Sequence, residues 1–393
     1  MVYEPYHIGS GEPADNTSDF ESPFIDGPGK ALPQTTQSVQ ELNLEFRGSS
    51  WEYFRIWIVN LCLTLLTLGI FSAWAKVRKK RYIYAHTTLD GTPFQYLAQP
   101  VPILKGRVIA AVGFLIYYLS RNLFTSLLPW VLGAAMIAAP WVIARSSAFK
   151  ARYSAFRNMT FHFDAGYLAT LKTLYAWGLI PAMTLGIILG RNGKPWLFGV
   201  SSLIFGITFP FWLCRLKKFI IEHMRFGGRP GAFSATGGQF FGIYFRAFLI
   251  MVGLSIPVGI LTVTLAAGYR GNIWLLTYIG PLWGYANYAV FYAFVRSRSI
   301  NLAWNKTQVG PLRFRASMRA RDLVVLYLTN ALGIIASAGL LIPWAVMRTL
   351  KYRIDHLQVM QEGLLAEFKG SDTGSVAALG AETMDFFDLD LSL

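Results

Sequence analysis

Three histidines recur at matching positions and are the residues best suited to chemistry. His86, His223 and His356 each lie eight residues after an arginine, and Glu222 or Asp355 directly precedes two of them. Three imidazoles supported by carboxylates could bind a metal ion and leave a fourth position open. Their spacing matches no known metal-ligand signature, so we favour a packing role in which each ring is hydrogen-bonded within its own connector. The sequence therefore predicts no metal site.

Signatures of catalysis are absent from the sequence. There is no Walker A sequence, no dinucleotide-binding glycine motif, no H-E-x-x-H and no G-x-S-x-G. Cys62 and Cys214 both fall in apolar segments, where cysteine behaves as a small hydrophobic residue. We therefore expect a protein that is not an enzyme and that uses no cofactor.

A motif that ends an apolar run recurs five times, and its arginine always falls five residues after its first position. The copies are AWAKVR (73–78), PWVIAR (140–145), PFWLCR (210–215), FYAFVR (291–296) and PWAVMR (343–348). The tryptophans and arginines concerned are Trp74, Arg78, Trp141, Arg145, Trp212, Arg215, Arg296, Trp344 and Arg348. An aromatic ring followed by arginine is typical of a helix that leaves the bilayer. We favour this interfacial role over a ring of arginines that attracts anions at a cytoplasmic vestibule.

Three asparagines, Asn60, Asn330 and Asn287, are the main polar candidates within apolar segments. In a membrane helix, asparagine more often joins neighbouring helices than binds a substrate. Asn60 and Asn330 occupy equivalent positions in two interrupted apolar segments, which is where repeat-built transporters place their sites. We keep all three as candidates for a pathway or for helix packing. No carboxylate is predicted at the membrane midplane, which disfavours an ion-coupled carrier.

Composition and long apolar runs predict a polytopic membrane protein. The chain is 54% hydrophobic and 15% charged, and its mean hydropathy is +0.40. A helix needs about 20 apolar residues to cross a bilayer. Six apolar runs are long enough: 108–128, 124–144, 168–190, 195–214, 240–267 and 273–295. Two interrupted runs, 54–75 and 323–346, complete the set.

Basic residues cluster just after the repeated motif, so the positive-inside rule makes these helix ends cytoplasmic. We expect them to contact anionic lipid head groups rather than nucleic acid. Residues 1–45 instead carry eight acidic residues and one lysine, and residues 370–393 carry five acidic residues and no base. The predicted domains are a disordered acidic tail at 1–41, a repeat-built transmembrane domain at 42–370, and a second disordered acidic tail at 371–393.

The two interrupted runs match each other at an offset of 270 residues, as Arg78 and Arg348 show. If each crossed the membrane once, the two equivalent basic clusters would face opposite sides, against the charge rule. We therefore predict re-entrant helical hairpins that break near 67–69 and 337–339, with both termini cytoplasmic. Eight simple spans are the alternative.

The predicted fold is an all-α polytopic membrane protein built from repeated helical hairpins. It has about six full spans and two interrupted or re-entrant terminal segments. Asp-Gly, Gly-Gly and Gly-Pro turns in the connectors predict small cytoplasmic β-hairpins between the helices.

The segment 46–96 carries a distinctive set of residues: Phe46, Gly48, Trp51, Tyr53, Phe54, Asn60, Thr67 to Gly69, Trp74 to Lys76, Arg78, Arg81, Tyr82, Asp90 and Gly91. With these residues the segment resembles the YjgN-like family of bacterial inner-membrane proteins, a domain of unknown function. The chain departs from the family pattern at Ser72-Ala73, where the family has proline before tryptophan. Pro140, Pro210 and Pro343 stand in that place in later copies. The resemblance implies a bacterial inner membrane and brings no established activity.

Two classes of function remain open. One is a facilitative pathway for a lipid or a small solute. The other is a membrane scaffold that presents its cytoplasmic hairpins and acidic tails to a partner, and the resemblance suggests a membrane metallopeptidase as that partner. The acidic and apolar end of the chain, MDFFDLDLSL, is a candidate docking motif.

Overall fold

The computed structural model describes residues 40–156, 159–191, 193–226, 228–268 and 274–361. Its helices are α1 (Ser50–Leu66), α2 (Ser72–Ala85), α3 (Pro100–Asn122), α4 (Leu128–Tyr153), α5 (Tyr167–Leu174), α6 (Leu179–Arg191), α7 (Pro195–Glu222), α8 (Gly237–Gly268), α9 (Trp274–Asn305), α10 (Ala320–Ala336) and α11 (Ile342–Asp355). Its strands are β1 (Gln40–Leu42), β2 (Leu44–Phe46), β3 (Thr87–Leu89), β4 (Thr92–Pro93), β5 (Gln95–Tyr96), β6 (Ser154–Phe156), β7 (Met159–Phe163), β8 (Met224–Phe226), β9 (Arg229–Phe233), β10 (Thr307–Val309), β11 (Leu312–Ala316) and β12 (Leu357–Gln361). Apart from residues 40 and 41 in β1, the two predicted tails lie outside the described residues.

Five helical segments are long and apolar enough to cross a membrane. They are Pro100–Asn122, Thr125–Tyr153, Tyr167–Gly190, Pro195–Glu222 and Gly237–Thr264. They cover five of the six predicted runs, and the sixth, 273–295, lies almost wholly within α9. Many of their large apolar side chains are exposed, as expected of helices surrounded by lipid. The third segment is interrupted between α5 and α6, where Trp177 and Gly178 have positive φ angles.

The two terminal apolar segments are hairpins rather than continuous helices. α1 turns back into α2 at Leu68 and Gly69, and α10 turns back into α11 at Ala338 and Gly339. Both glycines have a φ of +92°, which only glycine adopts without strain. The Tyr82 hydroxyl bonds the backbone of the residue before α1, which brings the end of α2 back to the start of α1. The predicted breaks are therefore confirmed.

Sequential helices pack against each other in a closed cycle. Each of α1, α3, α6, α8 and α10 packs on the helix that follows it, which makes five hairpins. Each hairpin packs on the next through the contacts α2–α3, α4–α5, α7–α8 and α9–α10. α11 then packs on α1, so the last hairpin contacts the first.

The predicted β-hairpins exist, but the all-α fold class needs correction because the hairpins join into one large curled sheet. All neighbouring strands pair antiparallel, in the order β1-β12-β11-β10-β9-β8-β7-β6-β5. A second sheet has the order β2-β3-β4. One residue separates β1 from β2 and one separates β4 from β5, so two chain segments run from one sheet into the other. When β1–β2 and β4–β5 are each counted as one segment, the twelve strands form ten segments. These segments pair into a closed ring, which we call the barrel.

Alternation along these strands gives the barrel an apolar interior. The buried residues inside it are Leu42, Leu89, Phe156, Phe226, Val309, Leu312 and Val359. In β12, for example, Leu357 and Val359 are buried while Gln358 between them is exposed. Successive side chains of a strand point to opposite faces, so apolar residues at every second position line one surface.

Candidate functional site

The barrel encloses a cavity of about 140 Å³. Its wall combines inward side chains of the strands with the C-terminal ends of four helices, α2, α4, α7 and α9. Three aromatic pairs line it, with ring centroids 4.7–5.0 Å apart. They are Phe94 with Phe156, Phe161 with Phe226, and Trp304 with Phe314.

The hydroxyl groups in this wall bond to neighbouring protein atoms. Thr87 Oγ1 donates to the carbonyl of Ile83 at 2.8 Å, and Thr307 Oγ1 donates to the carbonyl of Ala303 at 2.6 Å. Apart from one lysine, Lys150, the wall is therefore chemically apolar. An apolar cavity of about 150 Å³ stays dry and binds a molecule the size of benzene, so this cavity can hold an apolar group of about six carbons.

Asn60 and Asn330 are buried and brace the two terminal hairpins internally. The Asn60 Oδ1 accepts a hydrogen bond from Arg78 at 3.3 Å, and the Asn330 Oδ1 accepts one from Arg348 at 3.2 Å. Asn330 also donates to Thr349 Oγ1 at 3.0 Å. In each hairpin the bond joins the first helix to the second. These contacts favour the helix-packing interpretation of the two asparagines.

Asn287 lies on α9 and donates a hydrogen bond to Ser255 Oγ on α8 at 2.8 Å. Its side chain is buried, and its Oδ1 has no hydrogen-bond partner among the described residues. None of the three candidate asparagines forms part of the cavity wall. Their use by a transported molecule stays a prediction.

The repeated tryptophans and arginines occupy several environments. Trp141 and Trp344 are partly exposed, and the Arg348 guanidinium lies 5.1 Å from the ring centre of Trp344. This stacking fits the predicted interfacial role. Trp212 is buried and donates its ring N–H to the carbonyl of Leu174 at 2.8 Å.

The remaining members of the motif divide in the same way. Trp74 is half-buried, the Arg78 guanidinium lies 6.0 Å from the ring centre of Phe71, and Arg145 and Arg215 are exposed. Arg296 is the buried arginine of this set, with 9% of its surface exposed. The motif therefore does not form a uniform ring.

The three histidines make the same local contacts and lie at the ends of different helices. Each Nδ1–H donates to the carbonyl four residues earlier at 2.8 Å, and each ring lies 4.2–4.3 Å from the aromatic ring at that same position. The residues paired this way are His86 with Tyr82, His223 with Phe219, and His356 with Tyr352. Within the described residues, no group of three His, Cys, Asp or Glu side chains could hold a metal ion. The contacts support the packing interpretation.

Sequence reasoning identified turns and phenylalanines in the connectors but not the cavity that they surround. The cavity could have been predicted from the alternation of apolar residues in the strands beside each turn. Phe226 in β8 and Val309 in β10 are two examples. Each strand has only two to five residues, so the alternation is too short to stand out.

Comparison with known proteins gives one family match. The family described as "Bacterial protein of unknown function (DUF898)" matches residues 41–386. The chain is 28% identical over 170 residues to the inner membrane protein YjgN of Salmonella typhimurium (strain LT2), covering 42% of each protein. It is 36% identical over 80 residues to the inner membrane protein YjgN of Escherichia coli (strain K12), covering 20% of this chain and 19% of that one. The matched segments thus span less than half of either relative, and no solved structure matches significantly.

Proposed function

Because this chain belongs to the bacterial DUF898 family, whose function is unknown, we propose a role from its own geometry. It is a non-catalytic inner-membrane protein that holds an apolar molecule in the barrel cavity and provides a facilitative pathway for a lipid or small solute. The similarity to relatives named inner membrane proteins supports the location. The resemblance to the YjgN-like family is confirmed by the same comparisons.

The observation that carries this proposal is the apolar, partly open cavity between the barrel and the helix ends. A core that served only to stabilise the fold would be filled at the density of an organic crystal, with few voids larger than a water molecule. An unfilled cavity loses packing contacts and costs stability. A bound apolar molecule would restore those contacts.

The tips of the helical hairpins support a membrane arrangement with both chain ends on the barrel side. Arg121, in the last turn of α3, and Lys194, in the α6–α7 connection, are exposed cations that suit water beyond the far side of a bilayer. The α1–α2 tip instead exposes two leucines, Leu66 and Leu68, and 94% of the surface of Leu68 is exposed. An apolar tip without charge suits lipid, so we propose that the two terminal hairpins re-enter the membrane and end within it.

Cysteine labelling tests this arrangement. In a background with Cys62→Ser and Cys214→Ala, single cysteines replace Arg121, Lys194, Leu68 or Glu41. A membrane-impermeant maleimide added outside spheroplasts should label the first two. Glu41→Cys should react only after permeabilisation, and Leu68→Cys should resist in both cases. Labelling of Glu41→Cys from outside would contradict the proposed orientation.

Photolabelling tests the binding role. A six-carbon alcohol with a diazirine group is added to protein in nanodiscs of zwitterionic lipid, and labelled peptides are mapped by mass spectrometry. We expect saturable labelling at Phe226 and Val359 inside the barrel. Val309→Phe should reduce it by filling the cavity, whereas Val325→Phe, on the exposed face of α10, should not. Labelling of the exposed Phe114 on α3 should be unsaturable and unchanged in both variants.

Absence of saturable labelling inside the barrel would overturn the binding role. In that case, mass spectrometry of protein extracted in native nanodiscs tests the scaffold alternative. A stoichiometric protein partner that is lost when residues 370–393 are deleted would support that alternative.

A further inference from the structure

A second pocket lies outside the barrel and is lined by three arginines. They are Arg298 on α9, Arg319 in the connection between β11 and α10, and Arg321 in the first turn of α10. We call this site the arginine pocket. Among the residues that the structure describes, it shares none with the barrel cavity. Its volume of about 480 Å³ falls within the range of roughly 300–1,000 Å³ that is usual for small-ligand sites.

Hydrogen bonds from two helices hold the connection that carries Arg319. The Asn301 side chain on α9 donates to the Met318 carbonyl at 2.7 Å and accepts from the Met318 N–H at 2.9 Å. The Tyr352 hydroxyl on α11 accepts a hydrogen bond from the Arg319 N–H at 3.1 Å. Protein contacts alone therefore fix this part of the pocket, so a ligand would not have to order it.

Positive charge exceeds negative charge in the arginine pocket. Its described wall contains no carboxylate, and Asp322, the residue after Arg321, pairs with Arg321 at 3.6 Å. The Arg321 side chain is 81% exposed in this ion pair, and such exposed pairs are weak. Neither Arg298 nor Arg319 takes part in an ion pair within the described part of the chain. A pocket lined by charge of one sign concentrates ligands of the opposite sign.

The arginine pocket lies beside apolar surface that suits lipid. Val325, four residues after Arg321 and on the same face of α10, is 53% exposed, and Leu328 on the same helix is 45% exposed. On α9, the Arg298 guanidinium lies 5.9 Å from the ring centre of Phe294, one helical turn earlier. Arginine beside an aromatic ring at a helix end is typical of the membrane interface, where lipid head groups lie. A lipid whose chains cover α10 therefore has its head group near this pocket.

The matching place in the first hairpin has the same backbone contact without these arginines. The Ser49 N–H donates to the Tyr82 hydroxyl at 2.9 Å, just as the Arg319 N–H donates to the corresponding tyrosine of the last hairpin. At the offset of 270 residues, Ser49 matches Arg319 and Trp51 matches Arg321. The repeated fold therefore forms without arginine at these two positions, which favours a role in binding over a role in folding.

We propose that the arginine pocket binds a phosphate monoester. Guanidinium groups donate paired, charge-assisted hydrogen bonds to phosphate oxygens. A monoester offers three such oxygens and close to two negative charges, so more than one arginine can bind it at once. This site is separate from the barrel cavity and goes beyond the binding role proposed there.

Native mass spectrometry in a neutral detergent tests the proposal by titrating one lipid at a time. The probes are phosphatidic acid, which ends in a phosphate monoester, and phosphatidylglycerol, which has the same chains and a phosphate diester. We expect phosphatidic acid to bind at about tenfold lower concentration, since a hydrogen bond to a charged group contributes roughly that factor or more. Arg298→Gln with Arg319→Gln should abolish this preference. The matched control, Arg145→Gln with Arg215→Gln, removes two exposed arginines of α4 and α7 and should preserve it.

Two results would overturn the proposal. One is equal binding of the two lipids by the wild type, and the other is a preference that persists in the Arg298 and Arg319 double variant. Both residues are exposed, so thermal unfolding of this variant should match that of the wild type. If the double variant is less stable, Arg298→Gln alone serves in its place and should weaken the preference.

A variant of the barrel separates this site from the proposed binding role. Val309→Phe, which fills the barrel cavity, should keep the preference for phosphatidic acid. If Val309→Phe abolishes the preference, the lipid binds through the barrel and the arginine pocket is not its site. If the preference is found but the barrel is not photolabelled, the binding role of the barrel fails while the arginine pocket stands.

Competition identifies the source of the phosphate group. Displacement of bound phosphatidic acid by glycerol phosphate at a comparable concentration would assign the site to a soluble phosphate ester. Resistance to glycerol phosphate would assign it to a lipid head group. Both results support the arginine pocket as a phosphate site.

Discussion

At the scale of single residues, Asn330 and Arg348 show how a polar pair stabilises a hairpin inside an apolar environment. Within the membrane, no water replaces a lost hydrogen bond. A polar group that loses its partner there therefore costs free energy. The Asn330 amide accepts from Arg348 and donates to both Thr349 and the carbonyl of Ala345. One side chain therefore links α10 to α11 at three points.

We expect Asn330→Ala to lower the thermal stability of the protein in nanodiscs by the equivalent of about 1–2 kcal/mol. Asn60→Ala should act in the same direction but less strongly, because the Asn60 side chain has one hydrogen bond, to Arg78 at 3.3 Å. Asn122→Ala is the control, since Asn122 is exposed and bonds only the carbonyl of Tyr118 in its own helix. Equal stability of the Asn330 and Asn122 variants would argue against the bracing role.

The residue scale is also where sequence reasoning reached furthest. Asn60, Asn330 and the histidines were singled out by repetition, and each shares at least one contact with its counterpart. Phe156, in the cavity wall, received no role from its own spacing. Its contact with Phe94 depends on the pairing of β5 with β6, which the local sequence of neither strand encodes.

At the scale of elements, each terminal hairpin turns through two consecutive residues with positive φ, and the second of them is a glycine. Gly69 and Gly339 each have a φ of +92°, and an added Cβ at Gly69 would meet no atom within 4 Å. The cost of replacing Gly69 is therefore backbone strain rather than a clash. Sequence reasoning predicted these breaks because two single spans would place the matching basic clusters on opposite sides of the membrane. It missed the break at Trp177 because the run 168–190 is mostly apolar apart from Lys172 and is long enough for one span.

We expect Gly69→Ala to lower the stability of the hairpin by about 1–2 kcal/mol, the cost of a left-handed conformation for a residue with a Cβ. Gly113→Ala is the matched control, since Gly113 lies within α3 and also has open space at its Cβ. It should be neutral or stabilising, because alanine favours a helix over glycine by about 0.5–1 kcal/mol. Thermal unfolding of both variants in the same nanodiscs measures the difference, and a reversed order would refute the strain argument.

At the scale of the whole molecule, closure of the barrel depends on contacts between the two ends of the described chain. β1 pairs with β12 through Gln40 opposite Gln361, Glu41 opposite Met360, and Leu42 opposite Val359. Sequence analysis predicted each hairpin from its turn but could not join them. A turn fixes only the pairing of the two strands beside it. β1 has only three residues and is separated from β12 by the rest of the domain, so no local turn joins them.

A disulfide between the two ends tests this closure directly. Side chains directly opposite each other in an antiparallel pair have Cβ atoms about 4.5–5.5 Å apart, close enough for a disulfide after a small adjustment. In the background with Cys62→Ser and Cys214→Ala, Glu41→Cys with Met360→Cys should therefore cross-link under mild oxidation. The closed loop should migrate faster on a non-reducing gel and return to normal mobility when reduced.

Arg313 supplies both controls because it lies opposite Met360 on the other side of β12. Arg313→Cys with Met360→Cys should cross-link, which shows that the position accepts a disulfide. Arg313→Cys with Glu41→Cys should not, since two strand spacings of about 4.8 Å separate them. If only the Arg313 and Met360 pair cross-links, β1 does not close the barrel and the cavity lacks one wall. If the Glu41 and Met360 pair also cross-links, the first and last strands of the domain are neighbours, as a closed binding cavity requires.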